Sequence, residues 1–546
     1  MQRTRFDDGT QATAKRHRRE LSRARFGAAT AGALVLAIAA SGCTTGSKTS
    51  SGSGASGGVL KYGYDFDAQF TGSFDIRHST GDCDQILLNP IYDTLLHRTP
   101  SGDLIPGIAE RFKVDAPGNK VELWIRKGVK FSDGTPVDGQ AVVNGLLTNK
   151  QNSSLNSLTK MTNVAVDKAD PQHVVIDYAD NTGLQLPYAF TQRDGMIMAT
   201  TSINANTADQ KPVGAGPFML TAYSKGASAS LRPNPYYWNK DNAYKFGGID
   251  FVKVATGPTA VSSLKAGDVD FVRLESDGYQ LIKSDPTYKT AIQPTGAYLQ
   301  FEFRLKFKDG RQTPFVKPEV RQAFSYGLDR AAINQAAQQG LGDVTTQPFP
   351  KGNPAHVDSL DGYYKYDPTK AKQLLAQAGY PNGFSFDMVI PGGGIANMEH
   401  QAVEVQQELK KIGVTANIKR IMGNDIATGY YIGQTGDAFV AEELASSFPG
   451  GSLNDNYGSG FVANWDGAQR DDITQLMNQA QSQIDVPTAM KYVHQAVDIA
   501  VKQALDVPIA FAPQLNSYNS QKVGGTVVAQ TNICDAPNLS GLTVKG

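Results

Sequence analysis

One short stretch limits what the rest of this chain can become: Leu34-Val-Leu-Ala-Ile-Ala-Ala-Ser-Gly-Cys43, an apolar run closing on small residues and a cysteine. Lys15, Arg16, Arg18, Arg19, Arg23 and Arg25 precede it, and residues 44–58 behind it are nearly all Ser, Thr, Gly and Ala. A basic flank, an apolar core of roughly 7–15 residues and small residues at its end mark an export signal. A membrane-spanning helix takes roughly 20 apolar residues, more than this run offers. The folded body is therefore expected to begin after residue 42 and to lie outside the cytoplasm.

The ending Ala40-Ser41-Gly42-Cys43 resembles a bacterial lipobox, with Ala40 where leucine is commoner. The resemblance implies residues 1–42 as a lipoprotein signal peptide, acylation of Cys43, and residues 43–58 as a flexible tether rich in Gly and Ser. The protein would then sit on the extracytoplasmic face of the cell membrane, held by lipid. The alternative is an ordinary signal peptide that contains a cysteine. Arg18-Arg19 points to twin-arginine export, but the residues after it fit that pattern poorly.

The 504 residues beyond the signal exceed what one hydrophobic core serves, so two or three domains are expected. The signal holds eight Lys/Arg and three Asp/Glu, which leaves a mature chain of 44 basic and 49 acidic residues. Such a chain lacks the basic footprint of a nucleic-acid partner. No later stretch approaches the length of a spanning helix, so only the lipid would attach the body to a membrane. Cys83 and Cys534 lie near the two ends of the mature chain. In an exported protein they are either a disulfide or two isolated buried thiols. No His/Cys spacing indicates a structural zinc site, no internal repeat is visible, and no cofactor is expected.

Val59, Leu60, Tyr62 and Tyr64 read as a first strand leaving the tether. The apolar segment Ile86 to Leu96 comes next, then the turn residues Thr99-Pro-Ser-Gly-Asp103 and an alternating strand with Val121, Leu123 and Ile125. Asp133-Gly134 and Pro136 punctuate a turn, and Asp138 is placed to cap a helix carrying Val142, Val143, Leu146 and Leu147. Farther on, Pro318 suits a first helical position. Asp329 is placed to cap a helix closed by Gly340, and Asp367-Pro368 opens another that Gly379 stops. Phe384 to Ile390 reads as a strand, Ala402 to Lys411 as a helix, and Val414, Ala416 and Ile418 as a strand again. Strand and helix in alternation with short connections indicate an α/β lobe. Met490, Val493, Val497, Ala500, Val501 and Ala504 line a late helix.

Several blocks in this order resemble the family 5 solute-binding proteins of ABC importers, whose ligands include dipeptides, oligopeptides, nickel chelates and some oligosaccharides. They are Tyr92-Asp-Thr-Leu-Leu, Gly102-Asp-Leu-Ile-Pro-Gly-Ile-Ala-Glu, Trp124-Ile-Arg-Lys-Gly-Val-Lys-Phe-Ser-Asp-Gly-Thr-Pro, Gly214-Ala-Gly-Pro-Phe218, Arg232-Pro-Asn-Pro-Tyr-Tyr-Trp238 and Leu264-Lys-Ala-Gly-Asp-Val-Asp-Phe271. The resemblance implies an α/β, bilobal fold of the type II periplasmic-binding-protein kind, with an extra domain in the first lobe. On that pattern, 59–87, 203–300 and 512–546 form the first lobe's core domain, 88–202 the additional domain, and 301–511 the second lobe. The crossings between lobes would lie near Leu299–Arg304 and Val507–Phe511. The tail would return beside the first strand, bringing Cys534 near Cys83.

Enzyme signatures are lacking. Gly-x-Ser-x-Gly occurs only as Gly54-Ala-Ser-Gly-Gly58, in the tether, without the strand–turn–helix setting such a nucleophile needs. Gly450-Gly-Ser-Leu-Asn454 lacks the closing glycine, and neither a phosphate loop nor His-Glu-x-x-His occurs. The seven histidines are scattered. The expectation is therefore a receptor without catalytic residues. It would be a monomer that closes two lobes over a solute and presents it to permease subunits and their ATPase. A secreted lipoprotein enzyme is the alternative from another class.

For the cleft, the family resemblance implies an acidic residue after Asp437-Ala-Phe-Val-Ala441 that meets a peptide's amino terminus. Alignment puts Ser446 there, with Glu442 and Glu443 as substitutes or as a solvated pair. Gln300 and Glu302 on the crossing strand, Trp465 in a loop, and Tyr64, Phe66 and Asp82 after the first strand complete the candidate ligand contacts. Few of these are basic, so a cationic or neutral ligand is expected, most simply a peptide or peptide-like solute. The missing aspartate keeps an oligosaccharide or metal chelate open.

Overall fold

Two strands are much longer than the rest, Tyr288–Phe303 and Asp506–Asn519. They pair antiparallel from Tyr288↔Asn519 to Glu302↔Asp506, with a break in register between Pro294 and Tyr298. Pro294 stands opposite Pro513 at that break. Proline has no N–H to give to a ladder and is confined within sheets to edges and irregularities. Two facing prolines in a central pair therefore leave a point where neither strand donates. The computed structural model describes residues 57–241, 243–392, 396–422, 425–443, 446, 448–458, 470–528 and 536–546.

An eleven-stranded sheet is built around this pair. Beyond Asp506–Asn519 come Phe271–Leu274, Val59–Tyr64, Gly248–Lys253, Ser228–Pro233 and Phe218–Ser224; beyond Tyr288–Phe303 come Ala438–Glu443, Ser385–Gly392 and Thr415–Met422. Val59–Tyr64 runs parallel to both its neighbours, and so does Ser385–Gly392. Each end of the sheet thus has its own parallel α/β set, and the two long antiparallel strands join them. This is the expected mixed α/β, bilobal arrangement. The break at Pro294 falls just before the boundary expected at residue 300, and Tyr298 to Phe303 already pair with the second lobe's Ala438–Glu443.

The two ends have separate cores. In the second lobe Leu299, Phe301 and Phe303 point to one side and pack with Phe315, Phe324 and Phe386. Phe301–Phe324 and Phe303–Phe315 ring centroids are 5.4 and 4.9 Å apart. Burial of each such ring is worth about 1.5–3 kcal/mol, so this face of the crossing strand is committed to packing. In the first lobe Tyr62 packs on Phe251 and Phe271. The additional domain is an antiparallel sheet, ordered Ala109–Asp115, Lys120–Ile125, His173–Tyr178, Met161–Val166. It is backed by the helix Gly139–Asn149, whose cap Asp138 accepts from the Ala141 amide.

Other helix ends are set by the side chains that mark them. Asp329 accepts from the amides of Ala331 and Ala332, and Asp367 from that of Lys370. The helix Arg330–Gln338 ends one residue earlier than expected, on Gln339 in the left-handed region, with Gly340 next at φ +73°. The expected helix at Ala402 starts earlier, at Ala396. Gly450 adopts φ +86° and opens the helix Gly451–Tyr457.

The helices Asp471–Gln481 and Val486–Lys502 belong by sequence to the second lobe. Yet Ile473, Met477, Val493 and Val497 share one continuous cluster with Leu184 and Tyr188 of the additional domain. Tyr188 meets Phe448 edge-on at 5.6 Å, and the Leu184 amide donates to the Gln481 carbonyl at 3.1 Å. The seam between lobes is therefore packed on this side. The tail returns to the first lobe as expected: the Gly58 amide donates to Val544, and Val523–Gly525 pairs with Leu542–Val544. Cys83 is disulfide-bonded. Cys534, its expected partner, lies outside the described residues, as does Cys43. Among the described residues no helix is long and apolar enough to cross a membrane.

Candidate ligand-binding site

Side chains alternate along a strand. Because Leu299, Phe301 and Phe303 fill the second lobe's core, Tyr298, Gln300 and Glu302 are forced to the opposite face. Register then decides their neighbours. Glu443 stands opposite Tyr298 on one side, and Asp506 stands opposite Glu302 on the other. Gln300 Nε2 donates to Glu443 Oε2 at 3.3 Å, Tyr298 donates to Asp506 Oδ2 at 3.2 Å, and Tyr431 donates to Glu302 Oε2 at 3.3 Å. Tyr457 lies beside Asp506.

Three carboxyls in so little space are poorly hydrated. Asp506 is 5 % exposed, whereas Glu302 and Glu443 keep some solvent contact but are enclosed by protein on most sides. Burial pushes Glu302 up to about 7, opposed by Arg304 and by the Tyr431 bond. Burial pushes Glu443 up to about 8, with the charges of Glu302 and Asp506 adding to it. Burial likewise lifts Asp506 to about 6. Arg304 offsets part of the rise at Glu302, while its guanidinium donates to the carbonyls of Gly436 and Tyr430 at 3.0 and 2.6 Å. The group is short of positive charge.

Glu442 belongs to the other face. It is opposite Leu299, at the end of the strand, and its carboxyl feels Arg273 and Glu275 of the first lobe. Burial raises it, Arg273 opposes, and Glu275 adds; Glu275 is itself raised by burial and then by Asp277. Groups of both signs from the first lobe thus act on Glu442, Arg273 more strongly than Glu275.

The strand Ala438–Glu443 contains both glutamates. Ser446 lies beyond the strand end against Gly451, where a Cβ would come within 2.2 Å of its Oγ. Tyr64 and Phe66 are not on a cleft. Both are buried, their rings meet at 5.0 Å, and the Tyr64 hydroxyl donates to the Gln69 carbonyl. Their spacing suits a wholly buried strand end as well as a binding loop, and packing decides between the two. Asp82 falls in the one-turn helix Asp82–Asp84 beside the bonded Cys83; its side chain and all of Trp465 lie outside the described residues. Asp506, Glu275 and Tyr431 went unnoticed in the sequence. Only the pairing of distant strands brings them here, although an aspartate directly before Val507-Pro-Ile-Ala-Phe511 was a visible oddity.

A bilobal α/β frame with carboxyls gathered on its crossing strands agrees with the relationships of the chain. The profile of the bacterial extracellular solute-binding proteins, family 5 (middle), matches residues 103–469, more than half the sequence. The chain belongs to this family. Heme-binding protein A of Haemophilus influenzae is 27% identical over 471 residues, 78% of this chain and 82% of that one. Oligopeptide-binding protein AppA of Bacillus subtilis is 26% identical over 411 residues, 70% of this chain and 73% of that one. The periplasmic binding protein DppA of Helicobacter pylori, solved with the peptide STSA, superposes with a TM-score of 0.71 at 20% identity, covering 90% of this chain and 98% of that one. These relatives are binding proteins of transporters, and this member of family 5 is a substrate-binding protein of an ABC importer.

Proposed function

We propose that this family 5 protein captures a peptide or peptide-like solute bearing a cationic group, encloses it between its lobes, and delivers it to a membrane permease, while a lipid on Cys43 holds it near that partner. The observation that carries this reading is the face on which strand register gathers Glu302, Glu443 and Asp506 beside Tyr298 and Gln300. Without a ligand, these carboxyls repel one another and their pKa values are held up by burial. An ammonium between them turns that repulsion into attraction, so the solute favours the closed state over the open one, as a closure-coupled receptor requires. Glu442, on which both Arg273 and Glu275 of the first lobe act, ends the same strand as Glu443. Motion about the ladder break at Pro294 and Pro513 supplies a hinge. A lipid tether raises the effective concentration at the permease.

A second reading, favoured by the similarity to Heme-binding protein A, is a metal chelate such as a tetrapyrrole. The acid groups weigh against it, because carboxylate-bearing chelates would be repelled. The test is mass spectrometry of the solute released when the purified protein is denatured, and then titration of that solute back into ligand-free protein. An amine- or guanidine-bearing solute, bound about tenfold or more weakly by Glu443→Gln, supports the proposal; that loss matches about 1.4 kcal/mol. An anionic solute, or full affinity in Glu443→Gln, overturns it.

A further inference from the structure

A loop on the second lobe carries a group of side chains for which the binding cleft has no use. The sequence His356-Val-Asp358-Ser-Leu-Asp361 leads into and through the one-turn helix Asp358–Leu360. His356 Nδ1 lies 2.8 Å from the Phe349 carbonyl oxygen. A carbonyl only accepts, so Nδ1 holds a proton and donates, the tautomer in which Nε2 is the nitrogen that can offer a lone pair to a metal. That nitrogen is buried, on a side chain 8 % exposed, and has no hydrogen bond. It nevertheless faces two carboxylates: Asp361 Oδ1 at 3.3 Å and Asp358 Oδ1 at 3.4 Å. The three atoms all lie within 4.8 Å of one another.

We infer that His356 Nε2, Asp358 Oδ1 and Asp361 Oδ1 form a site for a divalent transition metal ion of the zinc class, distinct from the solute cleft. The spacing carries the inference. A charged imidazolium hydrogen-bonded to a carboxylate stands at about 2.7–2.9 Å, closer than either contact here. Two ligands held about 2.05 Å from one zinc at tetrahedral angles stand about 3.3–3.4 Å apart. One nitrogen and two carboxylate oxygens are a zinc-type donor set, with a fourth position left for water.

The surroundings are built to hold these ligands. A metal-binding histidine ordinarily gives its other ring N–H to a carbonyl or carboxylate, which fixes tautomer and ring orientation; Phe349 does this here. Gln347, fully buried, donates from Nε2 to Asp361 Oδ1 at 2.7 Å and to the Val357 carbonyl at 3.1 Å, and its Oε1 accepts from the Val357 amide at 3.0 Å. The buried Leu360 anchors the turn, and its carbonyl accepts from Thr346 Oγ1 at 2.7 Å. Lys351 Nζ, the cation beside the site, is 3.4 Å from the other oxygen of Asp361 on a side chain 81 % exposed, free to swing aside. The group Asp75, His78 and Asp209 lacks these features, because the Asp75 carboxylate is already bonded by the Arg77 guanidinium.

The test uses residues 43–546, treated with a chelator, and zinc chloride as the probe, with magnesium and calcium chloride as controls, in calorimetry and metal analysis near neutral pH. One zinc per chain is expected, with a rise in melting temperature and no comparable effect of magnesium or calcium. Asp358→Asn alters a side chain 99 % exposed, so its melting temperature without zinc should match the parent's, while its zinc affinity falls about tenfold or more. His78→Ala should leave zinc binding unchanged. No zinc uptake at large molar excess overturns the inference. So does parental affinity in Asp358→Asn, or loss of binding in His78→Ala in its place.

Discussion

Glu443→Gln should make the ligand-free protein more stable at high pH while changing it little at low pH. A carboxyl whose folded-state pKa is raised keeps its proton where the unfolded chain has released it. Stability therefore falls as pH rises, starting near the unfolded value of 4.5 and ending near the folded value of about 8. At about 1.36 kcal/mol per pKa unit, so large a shift would cost several kcal/mol for a fully enclosed group. Glu443 keeps some solvent contact and shares its field with Glu302 and Asp506, so the loss is expected at about 1–3 kcal/mol. Glutamine cannot ionise, and its amide oxygen still accepts from Gln300. Equilibrium melts at steps from about pH 5 to about pH 9 should then show two curves that coincide near pH 5 and separate with rising pH. With an unfolding entropy of about 2.1 cal/mol/K per residue, a variant of this size would melt about 1 °C higher per kcal/mol gained. Parallel curves, or a variant that loses ground as pH rises, would refute the claim that burial holds the Glu443 carboxyl protonated.

Three other features each give an expected outcome. Arg321 is buried and donates to the carbonyls of Ala504, Phe315 and Gln503 at 3.0, 2.8 and 3.1 Å, so Arg321→Met leaves them unpaired and should cost about 3 kcal/mol or more in urea unfolding. Gly183 sits at φ +44°, and a Cβ there would come within 2.1 Å of the Gln481 carbonyl oxygen. Gly183→Ala should therefore loosen the packed seam between lobes, costing about 1–3 kcal/mol in thermal unfolding and giving a larger radius in solution scattering. Cys43→Ala should release the protein from the membrane fraction in its native host; unchanged membrane association would rule out the lipid anchor.

What could be read in advance depended on whether a feature was local. Asp138, Asp329 and Asp367 cap helices where the sequence puts them, because a cap is decided within a few residues. The strand from Tyr298 to Phe303 was equally legible, and Gln300 and Glu302 were picked out on it; the structure places both on one face. The partners of that face were not legible, since Asp506 reaches Glu302 only after some two hundred residues have folded between them. Tyr64 and Phe66 show the opposite failure. Aromatic residues after a first strand look like a ligand platform, yet they pack edge to face inside the lobe. The zinc-type group escaped notice because its spacing matches no Cys/His pattern and becomes visible only when Phe349 and Gln347 fold onto it.

The most direct test of the central claim, that a cationic solute is recognised by carboxyls that partly hold their protons, is calorimetric titration of the released solute near neutral pH in two buffers of different ionisation enthalpy. Proton release on binding is predicted, because the incoming charge lowers the raised pKa values of Glu302 and Glu443. Proton uptake, or a binding enthalpy independent of buffer, would contradict it.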